Sequence, residues 1–300
     1  MVDEDSVDHD LDPRLTPARG DIAAKHLEGE VEAERFVEGE ELEVYDPVVP
    51  LRREPSHGAA LDTEALKGER VMIYDRTVEG WAWGQLLRDG YVGWLPDAAL
   101  VRPRTTPTHR VAALRTFAFP GPSIKLPPVE TLPLGAQLEI MRMDELFAVT
   151  AQQHFIPISH VAPLDAFERD FVTVAERFVG TPYLWGGRTS LGVDCSGLVQ
   201  TALAACGIEA PRDSDMQEAA LGEALTEIEL DYLTRGDLIF WKGHVAIVRD
   251  DETLLHANAF HMAVAIEEIG EALERIQESA GDIISVKRLF DPPIDPAFIA

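Results

Sequence analysis

Residues 194–208 read DCSGLVQTALAACGI. Leu198, Val199, Ala202, Leu203 and Cys206 form an apolar stripe at helical spacing, and Gly207 is placed to end the helix. Cys195 falls in its first turn. Three strand-like runs follow, DLIFW at 237–241, HVAIVR at 244–249 and TLLHANA at 253–259, joined by turns at Lys242-Gly243 and Asp250-Asp251. Upstream, FERDFVTVAERFVG places Phe167, Phe171, Val174 and Phe178 on one helical face, and Gly180, Thr181 and Pro182 stop that helix. IGEALERIQES at 269–279 adds a helix and IISVKRLF at 283–290 a closing strand. The expected class is α+β, with helices gathered before an antiparallel sheet.

The N-terminal half has a different texture. From residue 42 to 103, the runs LEVYDPVV, ERVMIYDR, GWAWGQLL and YVGWLP alternate with turn-forming Gly, Pro and Asp, which reads as a small all-β barrel. Residues 104–165 repeat the texture with VAALRTFAF, AQLEIMRM, LFAVTAQ and HFIPISHV, and PRTTPTH at 103–109 reads as the linker between the two. Residues 1–43 carry 15 acidic and four basic side chains. An acidic segment over 1–41 is therefore expected to pack at most peripherally, with AAKHLEGEVEAERF as a short charged surface helix. Residues 166–300 complete the expected division.

The 300 residues carry 53 acidic against 26 basic side chains, a formal charge of -27. Such a surface repels phosphate backbones and anionic headgroups, so no nucleic-acid or membrane partner is expected. No apolar run approaches the roughly 18–20 residues of a membrane span. The start, MVDEDSVDHDLDP, is acidic where a secretory signal is basic and then apolar, which gives the expectation of a cytoplasmic protein. Nothing in the sequence speaks to oligomeric state.

Two cysteines in this length exclude a disulfide scaffold. Cys206, 11 residues from Cys195 on one helix, lies about 16 Å away, beyond the roughly 7 Å Cα limit of a disulfide, and reads as core. A thiol is activated when a helix N-terminus and a nearby imidazole lower its pKa. Cys195 has the first feature, and strands joined by a tight turn bring His244 and His256 within reach of each other. A cysteine facing two histidines supplies a nucleophile, a base and an orienting group. The bland alternative, a small buried apolar residue, fits poorly with the polar neighbours Asp194 and Ser196. A zinc site from the same three residues has no CxxC, HxxxH or HExxH spacing behind it, so neither metal nor organic cofactor is expected.

TPYLWGGRTSLGVDCSGLVQ, PRDSDMQ, GDLIFW, GHVAIV and LLHANA, taken in that order, resemble the catalytic domain of the NlpC/P60 family of papain-like cysteine peptidases over residues 168–290. The two preceding all-β units resemble bacterial SH3 domains, most clearly at RDGYVGWLP. The resemblance implies a papain-like α+β catalytic domain behind two SH3-like barrels. It also implies an endopeptidase acting on peptidoglycan stem peptides, at the bond between γ-D-glutamate and a diamino acid such as meso-diaminopimelate. By resemblance Cys195 is the nucleophile, His244 the base and His256 the third polar residue. Tyr183 borders the site, and Asp194, Ser196 and Ser214 help hold the D-glutamyl unit, with Arg212 meeting its α-carboxylate. Asp194 also reads as a helix N-cap and Ser214 as a turn residue. Glu64, Asp89 and Tyr91 of the first barrel are the candidates to recognise the free amine of an N-terminal L-alanine, while Trp81, Trp83 and Trp94 read as barrel core or interface. A cytoplasmic location would make free L-alanyl-γ-D-glutamyl-diaminopimelate, in wall recycling, the substrate. The alternatives left open are a secreted wall hydrolase anchored by its SH3 domains, an amide hydrolase or acyltransferase on the same fold, and a peptide-binding protein without activity.

Overall fold

The computed structural model describes residues 11–104, 106–225 and 232–289, so residues 1–10 of the acidic segment and residue 290 of the closing strand lie outside it. The first unit is a seven-stranded antiparallel sheet. Its order is Leu61–Leu66, Val48–Arg52, Val92–Pro96, Trp81–Leu86, Arg70–Arg76, Glu40–Val44 and Leu100–Val101. Residues alternate faces along these strands. Leu42, Val44, Leu51, Val71, Ile73, Leu86 and Leu95 thereby enclose one core.

Trp81, Trp83 and Trp94 face the other way and are buried by the N-terminal segment, through Ile22 and the Arg19 guanidinium, which lies 4.4 Å from the Trp83 ring. This corrects the expectation of peripheral packing. The charged helix over 23–36 does not form either: Ala23–Ala24 pairs in parallel with Phe36–Val37, across a 3-10 turn at Lys25–Leu27 and a left-handed Gly29 at φ 94°. Ile22 against the tryptophans and the buried Ala23 and Ala24 gain more from this packing than they would in a solvated helix, and glycine disfavours that helix.

The second all-β unit consists of three small sheets of two or three strands between His109 and Pro163. They share a core of Val111, Ala118, Leu132, Ala136, Leu138 and Ile156.

The last unit is α+β. A six-stranded antiparallel sheet runs Glu223–Ala224, Ser285–Arg288, Leu238–Trp241, His244–Val248, Thr253–Asn258, Ala263–Glu268. Helices α1 (Phe171–Glu176) and α2 (Cys195–Ala205) pack on the face presented by Leu238, Phe240, Val245, Ile247 and Leu255. Helix α3 (Ser214–Ala220) follows α2, and α4 (Ile269–Ala280) covers the opposite face through Ile269, Ala272 and Ile276. The helices thus lie on both faces, and Ser285–Arg288 is an interior strand that does not close an edge. Phe167 is not on α1. Asp170 caps that helix through Val172 N–H and the Thr173 hydroxyl, so the chain ahead of it is not helical, and half-exposed Phe167 stacks on Arg110. No helix among the described residues is long and apolar enough to cross a membrane.

Candidate active site

Cys195 is the first residue of α2, and the Asp194 side chain caps the helix by accepting from Gly197 N–H at 2.7 Å. A Cβ on Gly197 would sit 2.3 Å from the Gly187 carbonyl oxygen, so this first turn can press against the preceding loop only with glycine there. Backbone N–H groups of Val245 and Ser196 donate to the Cys195 sulfur, which places it beside the start of the His244–Val248 strand.

His244 and His256 meet because their strands pair with Ile247 opposite Leu255, which sets the two imidazoles on a diagonal of one face. His244 Nε2 lies 2.9 Å from His256 Nδ1. On the same face, Leu254 pairs with Glu267, whose Oε2 is 2.5 Å from His256 Nε2 and 2.5 Å from Nη2 of Arg275 on α4. His256 is almost fully buried. Burial, then the charge of Asp194, pushes the Cys195 thiol up to about 12, outweighing the N–H groups aimed at it. Burial, with His256 and Arg275 adding to it, lowers His244 to about 3. The expectation of a thiol lowered by its helix is therefore not met in this state: thiol and imidazole rest neutral.

Cys195 opens into a cavity of about 260 Å³ whose walls come from both ends of the chain. Tyr183, Asp194, Ser196 and Ser214 line it from one side and Tyr91 from the other. Burial raises the phenol pKa of both tyrosines, with Asp213 adding to the shift at Tyr91. Asp62, Arg53, Asp213, Asp215, Arg14 and Trp185, which the sequence reading did not single out, line it too. Asp62 is the near neighbour of Glu64 on the same strand face, and Asp213 follows Arg212, so the correct segments were flagged with the register missed by one or two positions. Tyr91 donates to Asp213 at 3.0 Å, and Arg14, from the N-terminal segment, pairs with Asp213 and Asp215. Burial raises the Asp213 carboxyl against the pull of Arg212, Tyr91 and Arg14.

Three expected ligands are spent elsewhere. Arg212 is 1% exposed and points its donors at Thr63 Oγ1, Ser196 Oγ, the Gly187 carbonyl and both oxygens of Asp194, leaving none for a substrate carboxylate. Glu64 accepts from Arg188 N–H at 2.9 Å, and its carboxyl is raised by burial. Asp89 accepts from Arg88, from Tyr91 N–H and from Gln200 of α2. None of the three lines the cavity. They bind the first sheet to the α2 region, because a buried charge is tolerated only when it is paired.

Residues 51–100 match the family model described as the bacterial dipeptidyl-peptidase Sh3 domain, and residues 180–275 match that of the NlpC/P60 family. The chain is 35% identical over 133 residues to dipeptidyl-peptidase 6 of Lysinibacillus sphaericus, covering 44% of this chain and 48% of that protein, about half its length. It is 28% identical over 258 residues to γ-D-glutamyl-L-lysine dipeptidyl-peptidase of Bacillus subtilis, covering 77% of this chain and 81% of that one. A crystal structure of an NlpC/P60 family protein from Bacillus cereus shares the fold with a TM-score of 0.70 at 19% identity, over 83% of this chain and 99% of that one. Two matched segments in this order, on a fold that seats a cysteine at a helix start and pairs two histidines on the adjoining sheet, identify residues 180–275 as an NlpC/P60 cysteine peptidase segment, with a bacterial SH3 segment at 51–100 ahead of it.

Proposed function

We propose that the chain hydrolyses the bond between γ-D-glutamate and the following L-diamino acid in free peptidoglycan stem peptides, releasing the N-terminal L-alanyl-γ-D-glutamate. The observation that carries this reading is the acidic wall opposite the nucleophile. Asp62 and Asp213, with the Tyr91 hydroxyl between the two halves of the chain, line the cavity that contains Cys195. A peptidase that counts two residues from a free end needs anionic groups for the terminal ammonium, and Asp62 and Asp213, paired with Arg53 and Arg14 yet lining the cavity, are the carboxylates we assign to it. Relatives named dipeptidyl-peptidase and γ-D-glutamyl-L-lysine dipeptidyl-peptidase support the same reading and extend the candidate diamino acids to lysine beside diaminopimelate.

In this mechanism Ser214 and Ser196, which line the cavity, contact the D-glutamyl unit, Ser196 with its hydroxyl held by Arg212 and Asp194. Cys195 Sγ attacks the γ-carbonyl carbon while His244 takes the thiol proton. Starting from neutral partners, this transfer accompanies substrate binding and needs no standing thiolate. Backbone N–H groups at the start of α2 face the developing oxyanion. The imidazolium then protonates the departing amine, and neutral His244 activates a water that hydrolyses the thioester.

The test is hydrolysis of L-Ala-γ-D-Glu-L-Lys and L-Ala-γ-D-Glu-meso-diaminopimelate, each beside its N-acetylated twin, with Cys195→Ala as control and product release followed by mass spectrometry. Loss of a charge-assisted contact worth about 1.5–3 kcal/mol makes the acetylated peptides about 10- to 150-fold slower. Equal rates for free and acetylated peptides would overturn recognition of the free amine, and release by Cys195→Ala would overturn the nucleophile.

A further inference from the structure

The hydrogen-bonded row that begins at His244 does not end at His256. His256 Nε2 contacts Glu267 Oε2 at 2.5 Å, and Arg275 grips both oxygens of that carboxylate, Nη2 to Oε2 at 2.5 Å and Nε to Oε1 at 3.3 Å. The Arg275 guanidinium is itself seated on the Phe260 ring at 4.5 Å. His261 Nδ1 stands 3.7 Å from the same Oε2. Burial opposes ionisation of Glu267, yet the hydrogen bonds from His256 and Arg275 and the Arg275 charge hold its carboxyl below the ordinary range.

An ionised carboxylate only accepts hydrogen bonds, and this has consequences along the row. A His256 with a single ring proton must carry it on Nε2 to donate to Glu267, which leaves its Nδ1 as a lone pair. The 2.9 Å contact to His244 is then a hydrogen bond only if His244 Nε2 is the donor. Neutral His244 has one ring proton, so its Nδ1 is bare. We propose that Glu267, clamped by Arg275, is a positioning residue that sets the tautomers of both histidines and so presents an unprotonated His244 Nδ1 to the Cys195 thiol. The inference rests on the roles of Cys195 and His244 given above, and on no particular substrate.

When the thiol proton moves to His244 Nδ1, the Nε2 proton stays in its bond to His256, and the new positive charge forms two hydrogen bonds away from a carboxylate. Without the carboxylate the row loses its direction. In Glu267→Gln the amide can offer N–H to His256 Nε2, which moves the His256 proton to Nδ1 and the His244 proton to Nδ1, where it blocks the base. The corresponding Asp-to-Asn change in a serine-protease triad lowers kcat about 10⁴-fold through the wrong tautomer. Glu267 is one group further back, and a fall in kcat of about 10- to 1,000-fold with KM within about twofold is expected.

The experiment compares wild type with Glu267→Gln and Glu267→Leu by peptide kinetics, by 15N NMR of the imidazole nitrogens, and by the rate at which iodoacetamide alkylates Cys195. Alkylation is read on the Cys195 peptide with Cys206 as internal reference. In wild type both histidines show the Nε2–H tautomer; in both variants that pattern is lost, and kcat and Cys195 alkylation fall together. A wild-type His244 protonated on Nδ1, or variants with unchanged kcat, would overturn the proposal. The wild-type spectrum decides the matter even where a variant fails to fold. Alkylation separates the outcomes further: slowed alkylation in the variants, with no peptide cleaved by wild type, would refute the substrate and leave the positioning role standing.

Discussion

Arg212 is where a substrate-binding role and a purely internal role make opposite predictions. Its guanidinium meets Asp194 at 2.7 and 2.9 Å, Thr63 at 2.9 Å, Ser196 at 3.0 Å and the Gly187 carbonyl at 3.3 Å. Arg212→Met removes every one of these and leaves the Asp194 carboxylate, 7% exposed, with the N–H groups of Gly186 and Gly197 and a 3.4 Å contact from the Ser196 hydroxyl, and no counter-charge among them. Breaking a buried pair by removing one partner costs about 3–5 kcal/mol. At about 2–4 °C per kcal/mol for chains of this general size, the Tm falls by about 6–20 °C. Arg212→Lys keeps the charge but cannot span both Asp194 oxygens, so it retains part of the stability. Thermal melts followed by circular dichroism, with kcat and KM on the tripeptide for each folded variant, provide the assay. A Tm within about 2 °C of wild type, together with a raised KM in both variants, would show that the guanidinium serves a substrate carboxylate and refute the internal role.

Two more outcomes follow from the same geometry. His244 is held at about 3 against an ordinary 6.5, so the unfolded chain takes up its proton first, and stability falls as pH drops from about 6.5 towards 3. Glu267, held at about 2 against 4.5, adds stability that is present above 4.5 and lost as pH falls through about 2. Urea midpoints against pH should therefore decline below 6.5 in wild type and flatten between 6.5 and 4.5 in His244→Gln; parallel curves would contradict the assignment. Gly197→Ala forces a methyl to 2.3 Å from the Gly187 carbonyl oxygen, and a loss of about 1–3 kcal/mol with impaired activity is expected. Wild-type stability and turnover in that variant would show that the first turn of α2 has slack.

Local patterns carried the reading wherever a single element decided the outcome. The α2 stripe, its stop at Gly207, the two tight turns of the sheet and the α4 segment are short-range signals, and they appear where the periodicity puts them. The placement of Cys195 and of the histidine pair was legible for the same reason: one is tied to a helix start, the others to paired strands. The failures are long-range. The N-terminal segment looked unpackable because its charge was visible and the tryptophan face that it covers was not. Arg212, Glu64 and Asp89 carry the chemistry of ligands, and only the tertiary fold reveals that Asp194, Arg188 and Gln200 already occupy them. Asp62 and Asp213 were overlooked because each becomes a cavity wall only when chain segments some 150 residues apart meet, as the Tyr91–Asp213 bond with its separation of 122 illustrates.

That meeting bears on how the molecule is made and how it can diverge. The Glu40–Val101 sheet leaves the ribosome well before Cys195, and domains generally fold in that order. The wall carrying Asp62 and Tyr91 is thus in place to receive the catalytic half through the Thr63–Arg212 and Glu64–Arg188 contacts. On the proposed function, a nascent chain carries the wall for the amine end of the peptide before it carries the thiol. On the same proposal, changes confined to the early sheet redirect which peptide end is accepted while the sulfur, the imidazoles and their carboxylate stay untouched.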